Sequence, residues 1–386
     1  MTIPTHLLGD ISPEVFLRDY WQKKPLLIKN AISHFIDPLS PEELAGLACE
    51  PDINSRIIIE KDGATPWQVK HGPFVDDDFI NTPDTHWTLL VQDVNRVIPE
   101  LACLLDFFRF VPDWRLDDIM VSYAPEHGSV GPHIDNYDVF LLQGMGRRRW
   151  QVNTGEVSND DLIPGLDLRI LKSFEAEQEW VLEPGDMLYL PPRVQHYGVA
   201  LEDCLTYSVG FHAPERSELL ADLAGWLAQQ EKTNPRYSDS DLSLPDHAGE
   251  IDKKSLQRVR DLMGSYDIDD TEFTKWFGSF ATANGQANEF TEKSFNECMG
   301  YWQQQGWLMR NPSCRFAYAM LDNLILLFVN GQIASLPLEE KQAVISLCDR
   351  HNIPYADVAS QCETTSLAAL WQDWYESGYI SEPYDE

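Results

Sequence analysis

Short runs of apolar residues, bounded by turn-forming residues, recur along the first two hundred positions of the chain. Runs this short, many of them alternating with polar residues, are typical of β-strands that bury one face. The predicted strands cover residues 25–28, 55–59, 86–91, 118–123, 138–142, 149–152, 180–182, 187–190 and 205–211. Short helices are predicted to start at Ser12 and Ser40. So many short strands favour a β-sandwich or a jelly-roll barrel.

The spacing of apolar residues becomes helical after residue 213. It recurs from Ser217, stops in a loop rich in Ser, Asp and Pro (237–245), and resumes over 251–277. The first helical stretch carries an apolar stripe of Leu219, Leu223, Trp226 and Leu227. We expect this stripe to form a homodimer interface, although packing within one chain would give the same pattern.

The last third follows a polar linker over 281–291 and contains two predicted helices, over 338–351 and 366–377. Residues 353–358 lie between them, and short apolar strands surround them. This order is compatible with a winged-helix module. We therefore predict an α+β protein, with a barrel domain over 1–213, a helical dimerisation region over 214–280 and a winged-helix-like domain over 281–386.

The charge is strongly acidic, with 29 Lys+Arg against 62 Asp+Glu and a formal net charge of -33. Such a field attracts basic partners and repels phosphate backbones, although solubility alone explains an acidic excess equally well. The stretch 338–386 has only Lys341 and Arg350 as basic residues. A DNA-reading helix needs Lys and Arg to contact phosphates. We therefore expect no direct DNA binding.

Seven cysteines are scattered along the chain without a CxxC pair. This pattern argues against a disulfide framework or structural zinc and favours a reducing compartment. The N-terminus has no secretory signal pattern, and no run of about eighteen apolar residues occurs. We therefore expect a cytoplasmic protein without membrane contact.

The candidate chemistry starts with His133, Asp135 and His196. On a β-strand, residues two apart point to the same face, so His133 and Asp135 would lie together. Pro191-Pro192 ends a predicted strand and would place His196 at the rim of the barrel. Two imidazoles and one carboxylate form the facial triad of non-haem Fe(II) oxygenases, which leaves other metal positions open.

The same alternation predicts the wall of a pocket. Asp118, Met120 and Ser122 share one face of their strand, and we expect that face to line the barrel interior. Tyr137 shares a side with the triad and would lie beside the metal. Ser208, on the strand after His196, would supply a hydroxyl near either ligand. Simple filling of the barrel would explain the same four residues.

Three consecutive arginines, residues 147–149, stand out in an acidic chain. A solvated basic turn is one explanation. The other is that a single guanidinium points inward and binds a dicarboxylate through two parallel hydrogen bonds. Arg148 is the inward candidate if Trp150 lies on the same side.

The His133-x-Asp135 motif, the arginine-rich strand that ends at Trp150, and the Pro-Gly-Asp…Pro-Pro…His196 sequence resemble the cupin-type JmjC oxygenases. The resemblance implies a double-stranded β-helix, Fe(II) held by the triad, and 2-oxoglutarate and O2 as co-substrates. It also implies that Arg148 binds the distal carboxylate of 2-oxoglutarate. Most members have lysine there, so arginine is a departure that keeps the charge. We also expect Ser122 to contact 2-oxoglutarate.

Residues 16–26 resemble the N-terminal segment of the ribosomal oxygenases, which carry a JmjC barrel, a helical dimerisation segment and a winged helix in this order. Bacterial members hydroxylate an arginine of the large-subunit ribosomal protein L-sixteen, and animal relatives hydroxylate histidines of other ribosomal proteins. The resemblance therefore implies a basic ribosomal partner. Asp118 would pair with the substrate guanidinium, with Met120 and Tyr137 against its aliphatic stem and Ser208 nearby.

Two alternatives stay open at this point. One is a 2-oxoglutarate oxygenase that acts on another residue, such as a histidine or a methyl-lysine, or on a small molecule. The other is a non-catalytic regulator whose cupin domain senses a metal or metabolite and whose winged helix binds DNA. The acidic last third argues against the second.

Overall fold

The computed structural model describes residues 7–61, 67–166, 168–230, 236–238, 253–263, 268–283, 294–350, 352–358 and 367–381. Its secondary structure mixes helices with antiparallel sheets, as the α+β prediction requires. Within these residues, no helix is both long enough and apolar enough to cross a bilayer.

The first half of the chain forms two antiparallel sheets. Their strands are β1 (Leu26–Ile28), β2 (Ser55–Glu60), β3 (Trp67–His71), β4 (Trp87–Val91), β5 (Leu116–Ala124), β6 (Val139–Gln143), β7 (Arg148–Asn153), β8 (Gln178–Leu182), β9 (Met187–Leu190), β10 (Gln195–Ala200) and β11 (Cys204–Phe211). The larger sheet has the order β1-β9-β6-β11-β5-β4-β2-β3, and the smaller has the order β10-β7-β8. Buried residues of both sheets, Leu141 and Trp150 among them, pack together between the layers. The predicted jelly-roll barrel is confirmed.

Helices cover the outer face of the larger sheet. They are α1 (Pro13–Asp19), α2 (Pro41–Leu47), α3 (Asp76–Ile80) and α4 (Pro99–Leu105). Two of them start at the predicted serines, because Ser12 and Ser40 accept hydrogen bonds from the backbone N–H groups of the first turn. The main core lies beneath these helices, with Phe16, Phe140 and Phe211 fully enclosed.

All nine predicted strands are present, and two more strands were not predicted. β3 carries the sequence WQVKH, and β10 carries QHYGVA with a glycine at position 198. Polar residues and glycine are unfavourable in isolated strands, so pairing with neighbours decides these two cases. His196 therefore lies on a strand and is 2% exposed. It follows the strand that ends before Pro191-Pro192, as predicted, but the prediction that it sits at the barrel rim is wrong.

The middle of the chain is helical, as predicted. Its helices are α5 (Arg216–Gln230), α6 (Lys253–Met263) and α7 (Asp270–Thr282). The predicted stripe lies on α5, where no residue is fully buried. The pattern over 251–277 corresponds to two helices, and most of the 237–245 loop and of the 281–291 linker lies outside the described residues.

The C-terminal part has its own core, centred on Trp302 and Trp371. Its elements are α8 (Phe295–Gln305), β12 (Trp307–Arg310), β13 (Phe316–Met320), β14 (Ile325–Val329), β15 (Gln332–Leu336), α9 (Lys341–Cys348), β16 (Asn352–Pro354), α10 (Ala368–Glu376) and β17 (Ile380–Ser381). Helices α9 and α10 match the two predicted ones. Two three-stranded sheets, β16-β12-β17 and β13-β14-β15, accompany them.

Polar contacts join the barrel to this C-terminal part. The Arg109 guanidinium donates to the backbone carbonyls of Cys348, at 3.1 Å, and Asp349. Arg315 lies directly before β13 and forms an ion pair with Asp117 of β5, with 2.9 Å between the nitrogen and the oxygen. The ion pair of Arg315 and Asp117 thus connects the C-terminal part to β5, the strand that also carries Asp118.

Candidate metal centre

The three predicted metal ligands come together at one point between the two sheets. One ligand atom from each of His133, Asp135 and His196 lies within 4.8 Å of the other two. The imidazole centroids of the two histidines are 4.1 Å apart, and Nε2 of His196 is 3.5 Å from a carboxylate oxygen of Asp135. Two nitrogens and one carboxylate oxygen in this arrangement suit a divalent iron with open coordination positions. The residues present therefore fit the metal.

Both imidazoles are oriented by local hydrogen bonds. Nδ1 of His133 lies 2.9 Å from the carbonyl oxygen of Gly131, and Nδ1 of His196 lies 2.9 Å from that of Val194. A carbonyl only accepts, so each Nδ1 carries the proton and each Nε2 has a free lone pair. Burial, reinforced by the neighbouring His133, lowers the pKa of His196 to about 4. The ring is therefore neutral at pH 7, as a metal ligand must be.

The histidines are also tied to each other through the backbone. The N–H of each one donates to the carbonyl of the other, at 3.0 Å in both directions. The prediction that His133 and Asp135 lie on a regular strand is wrong. They lie in the loop between β5 and β6, where His133 forms isolated bridges. Gly131 turns the chain there with a φ of 83° that favours glycine. The two side chains still share a side because the buried Ile134 points the other way.

A cavity of about 160 Å³ opens in front of the triad. All nine predicted site residues line it, and the roles assigned to them remain predictions. They are Asp118, Met120, Ser122, His133, Asp135, Tyr137, Arg148, His196 and Ser208. Six of these residues lie on strands that turn the same face inward, and the other three, His133, Asp135 and Tyr137, lie in the loop between β5 and β6.

Arg148 is the most unusual residue of the cavity wall. It is 2% exposed, and no ion pair to it occurs among the described residues. One Nη donates to the carbonyl of Gly198 at 3.3 Å, and Nε has no hydrogen-bond partner. Burial lowers the pKa of Arg148, against a smaller opposing effect of the neighbouring Cys204 thiol. Such a group needs an anion, and a carboxylate supplied by a ligand satisfies the guanidinium fork best.

The surroundings of Arg148 leave it little freedom. Its guanidinium lies 5.1 Å from the centroid of the Trp150 ring. Gly198, on the neighbouring strand, has no room for a side chain, because a Cβ would come within 2.8 Å of Arg148 Nε and 2.6 Å of the Trp150 ring. The backbone of β10 thus approaches closely and holds the guanidinium in place.

The polar wall runs across the larger sheet in register. Ser122 on β5 is opposite Thr206 on β11, and Met120 is opposite Ser208. These pairs point into the cavity as successive rows. Asp118 lies in the third row, beside Gly210 of β11. The two are close, because a Cβ added to Gly210 would lie 3.4 Å from the Asp118 carboxylate. The wall therefore changes from hydroxyl to thioether to carboxylate along one strand.

Asp118 and Tyr137 mark the outer part of the cavity. The Asp118 carboxylate accepts a hydrogen bond from the Asp93 N–H at 3.0 Å, and burial raises its pKa to about 6. Tyr137 is 41% exposed, so it lies at the mouth. The negative charge of Asp135, together with burial, raises the pKa of its hydroxyl. The mouth therefore combines a carboxylate with an aromatic ring.

Sequence reasoning missed four polar residues of the cavity wall. They are Arg56, Gln92, Asp117 and Thr206. Arg56 directly precedes three consecutive isoleucines on β2 and is opposite Leu90, which in turn is opposite Ser122. An arginine next to three isoleucines on one predicted strand was the sequence feature that could have indicated a residue of the cavity wall. Gln92 and Thr206 gave none.

Comparison with protein-family models identifies two regions of the chain. Residues 103–219 match a JmjC domain, and residues 261–381 match a ROXA-like winged helix. The first region contains the triad and Arg148, and the second contains the C-terminal core.

Curated relatives match most of the chain. The ribosomal protein uL16 3-hydroxylase of Escherichia coli is 43% identical over 265 residues, 69% of this chain and 70% of that protein. A probable ribosomal oxygenase of Haemophilus influenzae is 32% identical over 98% of this chain and 96% of its own length.

A solved structure agrees with these relatives. It is that of YcfD, a ribosomal oxygenase from Escherichia coli, in complex with cobalt and 2-oxoglutarate. It superposes with a TM-score of 0.75 at 34% identity, and the match covers 97% of this chain and 98% of that one.

Proposed function

Because the chain belongs to the JmjC-type ribosomal oxygenases, we propose that it is an Fe(II)- and 2-oxoglutarate-dependent hydroxylase of the large-subunit ribosomal protein uL16, and that it modifies an arginine. The Escherichia coli relative is named a hydroxylase of uL16. The buried, uncompensated Arg148 next to a two-histidine, one-carboxylate cluster carries the cofactor part of this proposal. A sensor without catalysis is disfavoured, because the relatives matched over most of this chain are named a hydroxylase and a probable oxygenase.

The triad is the proposed iron site. His133 and His196 would each offer Nε2, and Asp135 would offer a carboxylate oxygen that offsets part of the metal charge. When bound, iron and 2-oxoglutarate together with O2 supply the oxidising power that inserts oxygen into a C–H bond. The protein holds the ligands in place and keeps the His196 imidazole neutral.

The deep end of the cavity is the proposed 2-oxoglutarate site. Arg148 would anchor the distal carboxylate through two hydrogen bonds, and the ligand would in turn satisfy the free Nε. The hydroxyl of Ser122 lies on the same wall and would donate to a carboxylate oxygen. The Trp150 ring lies against the guanidinium, with 5.1 Å between the ring centroid and the guanidinium carbon.

The outer part of the cavity is the proposed substrate site. Asp118 would pair with the guanidinium of an arginine, while Met120 and Tyr137 would hold its aliphatic stem between them. Ser208, opposite Met120, would add a hydroxyl contact. A net charge of -33 would draw a basic ribosomal protein towards this mouth.

The arginine assignment is tested by replacing Asp118 with Asn. Loss of the charge is expected to raise the KM for uL16 by about 30-fold, because one partner of a desolvated ion pair is removed. The pKa of about 6, raised chiefly by burial and also by the charges of Asp93 and Asp117, means that the carboxylate is ionised only above this pH. The wild-type KM should therefore rise below about pH 6, and the variant should lose this dependence.

The matched control is Asp77→Asn, an exposed acid on α3 that does not line the cavity. It should leave the KM unchanged. An Asp118→Asn protein with the wild-type KM at pH 7.5 would contradict the assignment.

The activity itself is tested by incubating the protein with Fe(II), ascorbate, 2-oxoglutarate and purified uL16, followed by tandem mass spectrometry. A gain of one oxygen on an arginine of uL16 supports the proposal. Succinate formation that depends on uL16, with the oxygen on another residue type, would reject the arginine. Complete absence of modification by an iron-loaded protein would reject uL16 as substrate.

We also propose that the protein is a homodimer through α5 and α6 and acts in the cytoplasm, where ribosomal proteins are made, without contacting DNA. Helix α6 exposes one apolar face, with Leu256 48% and Val259 42% exposed. Half-buried residues of the α5 stripe offer a second apolar surface. Apolar helix faces of this kind are typical of subunit interfaces.

The dimer is tested by light scattering on the double variant Leu256→Glu/Val259→Glu. Two buried charges are expected to convert a dimer into a monomer, because desolvating them costs more than the interface gains. Ile36→Glu, a position 79% exposed in the barrel domain, is the control and should remain dimeric. A monomeric wild-type protein, or a dimer that survives the double substitution, would contradict this interface.

A further inference from the structure

The contact between Arg315 and Asp117 joins the C-terminal domain to the wall of the substrate cavity. One guanidinium nitrogen of Arg315 lies 2.9 Å from the Asp117 carboxylate and 3.3 Å from its backbone carbonyl. Arg315 is 17% exposed, so the pair is largely shielded on that side. Asp117 lines the same cavity as Asp118, its neighbour on β5.

Three carboxylates crowd this corner of the barrel. Asp93 pairs with Arg96 at 2.8 Å, and Asp117 pairs with Arg315. Among the described residues Asp118 has no ion pair, and the hydrogen bond that it accepts comes from the Asp93 N–H. Asp93 and Asp117 thus each have an arginine partner. Asp118, which has no ion pair among the described residues, is the acid proposed to hold the substrate guanidinium.

The C-terminal domain supplies one of these two arginines. Without it, Asp117 would be an uncompensated carboxylate next to Asp118, and a substrate guanidinium would have two competing positions. The start of β5 would also lose the ion pair that holds Asp117 in place, directly beside Asp118. Both effects would misplace the substrate carbon relative to the triad and weaken binding.

We infer that Arg315 is a positioning residue for the substrate arginine: by pairing with Asp117 it leaves Asp118 as the single free acid of the pocket, so the C-terminal domain completes the substrate site. This inference rests on the proposed function, since it assumes a guanidinium substrate. It gives the winged-helix domain a role in recognition that does not involve nucleic acid.

The test is steady-state kinetics of the full-length protein with uL16, varying uL16 at saturating 2-oxoglutarate. Arg315→Gln is expected to raise the KM for uL16 by about fivefold, the effect of one partly exposed ion pair, while kcat stays within about twofold. Arg315→Lys keeps the charge and should restore most of the wild-type KM. Arg109→Gln is the matched control, because Arg109 also bridges the two domains but lies outside the cavity.

The outcomes separate the two proposals. If uL16 is a substrate of the wild type and Arg315→Gln has the wild-type KM, the positioning role is wrong. If Arg109→Gln raises the KM equally, general domain docking explains the effect and the role is again wrong. If Arg315→Gln fails to fold, Arg315→Met keeps the length of the side chain without its charge and should raise the KM by a similar factor, and an unchanged KM in that variant would overturn the inference. If the wild type does not modify uL16, the proposed function itself has failed.

Discussion

Replacing His196 by alanine is expected to abolish hydroxylation and to weaken Fe(II) binding by more than about 100-fold. Changing even a residue that only orients a metal ligand costs up to about 100-fold in affinity, and His196 is a proposed ligand itself. Its ring is buried, neutral and aimed by the Val194 carbonyl, so no nearby group replaces it. Calorimetric titration with Fe(II) under anaerobic conditions, together with succinate formation, measures both effects.

His127→Ala is the control for this substitution. Its side chain is 53% exposed and does not line the cavity, so iron affinity and turnover should be unchanged. A thermal melt without metal checks that both variants are folded. If His196→Ala keeps wild-type iron affinity while folded, the proposed triad is not the metal site.

The second large effect is expected at Arg148, and it has two parts. Arg148→Gln should lower the affinity for 2-oxoglutarate by about 100-fold, because the ligand carboxylate loses a buried charged partner. The same change should leave the Tm of the protein without 2-oxoglutarate equal to or above that of the wild type. A buried guanidinium whose pKa is lowered by burial destabilises the fold at neutral pH, and a neutral amide removes that cost.

Thermal melts with Mn(II), in the presence and absence of 2-oxoglutarate, measure both parts together. The wild type should gain stability with 2-oxoglutarate, and Arg148→Gln should gain none at the same concentration. Arg147→Gln is the neighbouring control, since Arg147 pairs at the surface with Glu202 at 2.9 Å and should change neither result. A 2-oxoglutarate shift in Arg148→Gln equal to the wild-type shift would rule out the anchor.

Much of the site was predictable because strand alternation is a local property. Once 118–123 is a strand, Asp118, Met120 and Ser122 must share a face, and the structure places them on one wall. The same rule selected Arg148 from three consecutive arginines. The family resemblance added what alternation does not contain, namely the identity of the metal and of the co-substrate.

Features that depend on distant segments were not predictable. β10 has an unfavourable strand sequence and is ordered by pairing with β7, so the burial of His196 was missed. The pairing of Arg315 with Asp117 joins residues 198 positions apart, and no local pattern indicates it. Arg56 was missed because its row is assembled from separate strands.

The hydrogen bonds that aim the two imidazoles come from carbonyls only two residues earlier, at Gly131 and Val194. Each imidazole of the proposed metal site is thus aimed by a backbone group of its own segment. We therefore expect a chelator to remove the activity while the protein stays folded. Two imidazoles and one carboxylate select weakly among divalent ions, and several of these ions bind such ligands more tightly than Fe(II). Which metal the protein carries would therefore depend on the supply of ions in the cell where it folds.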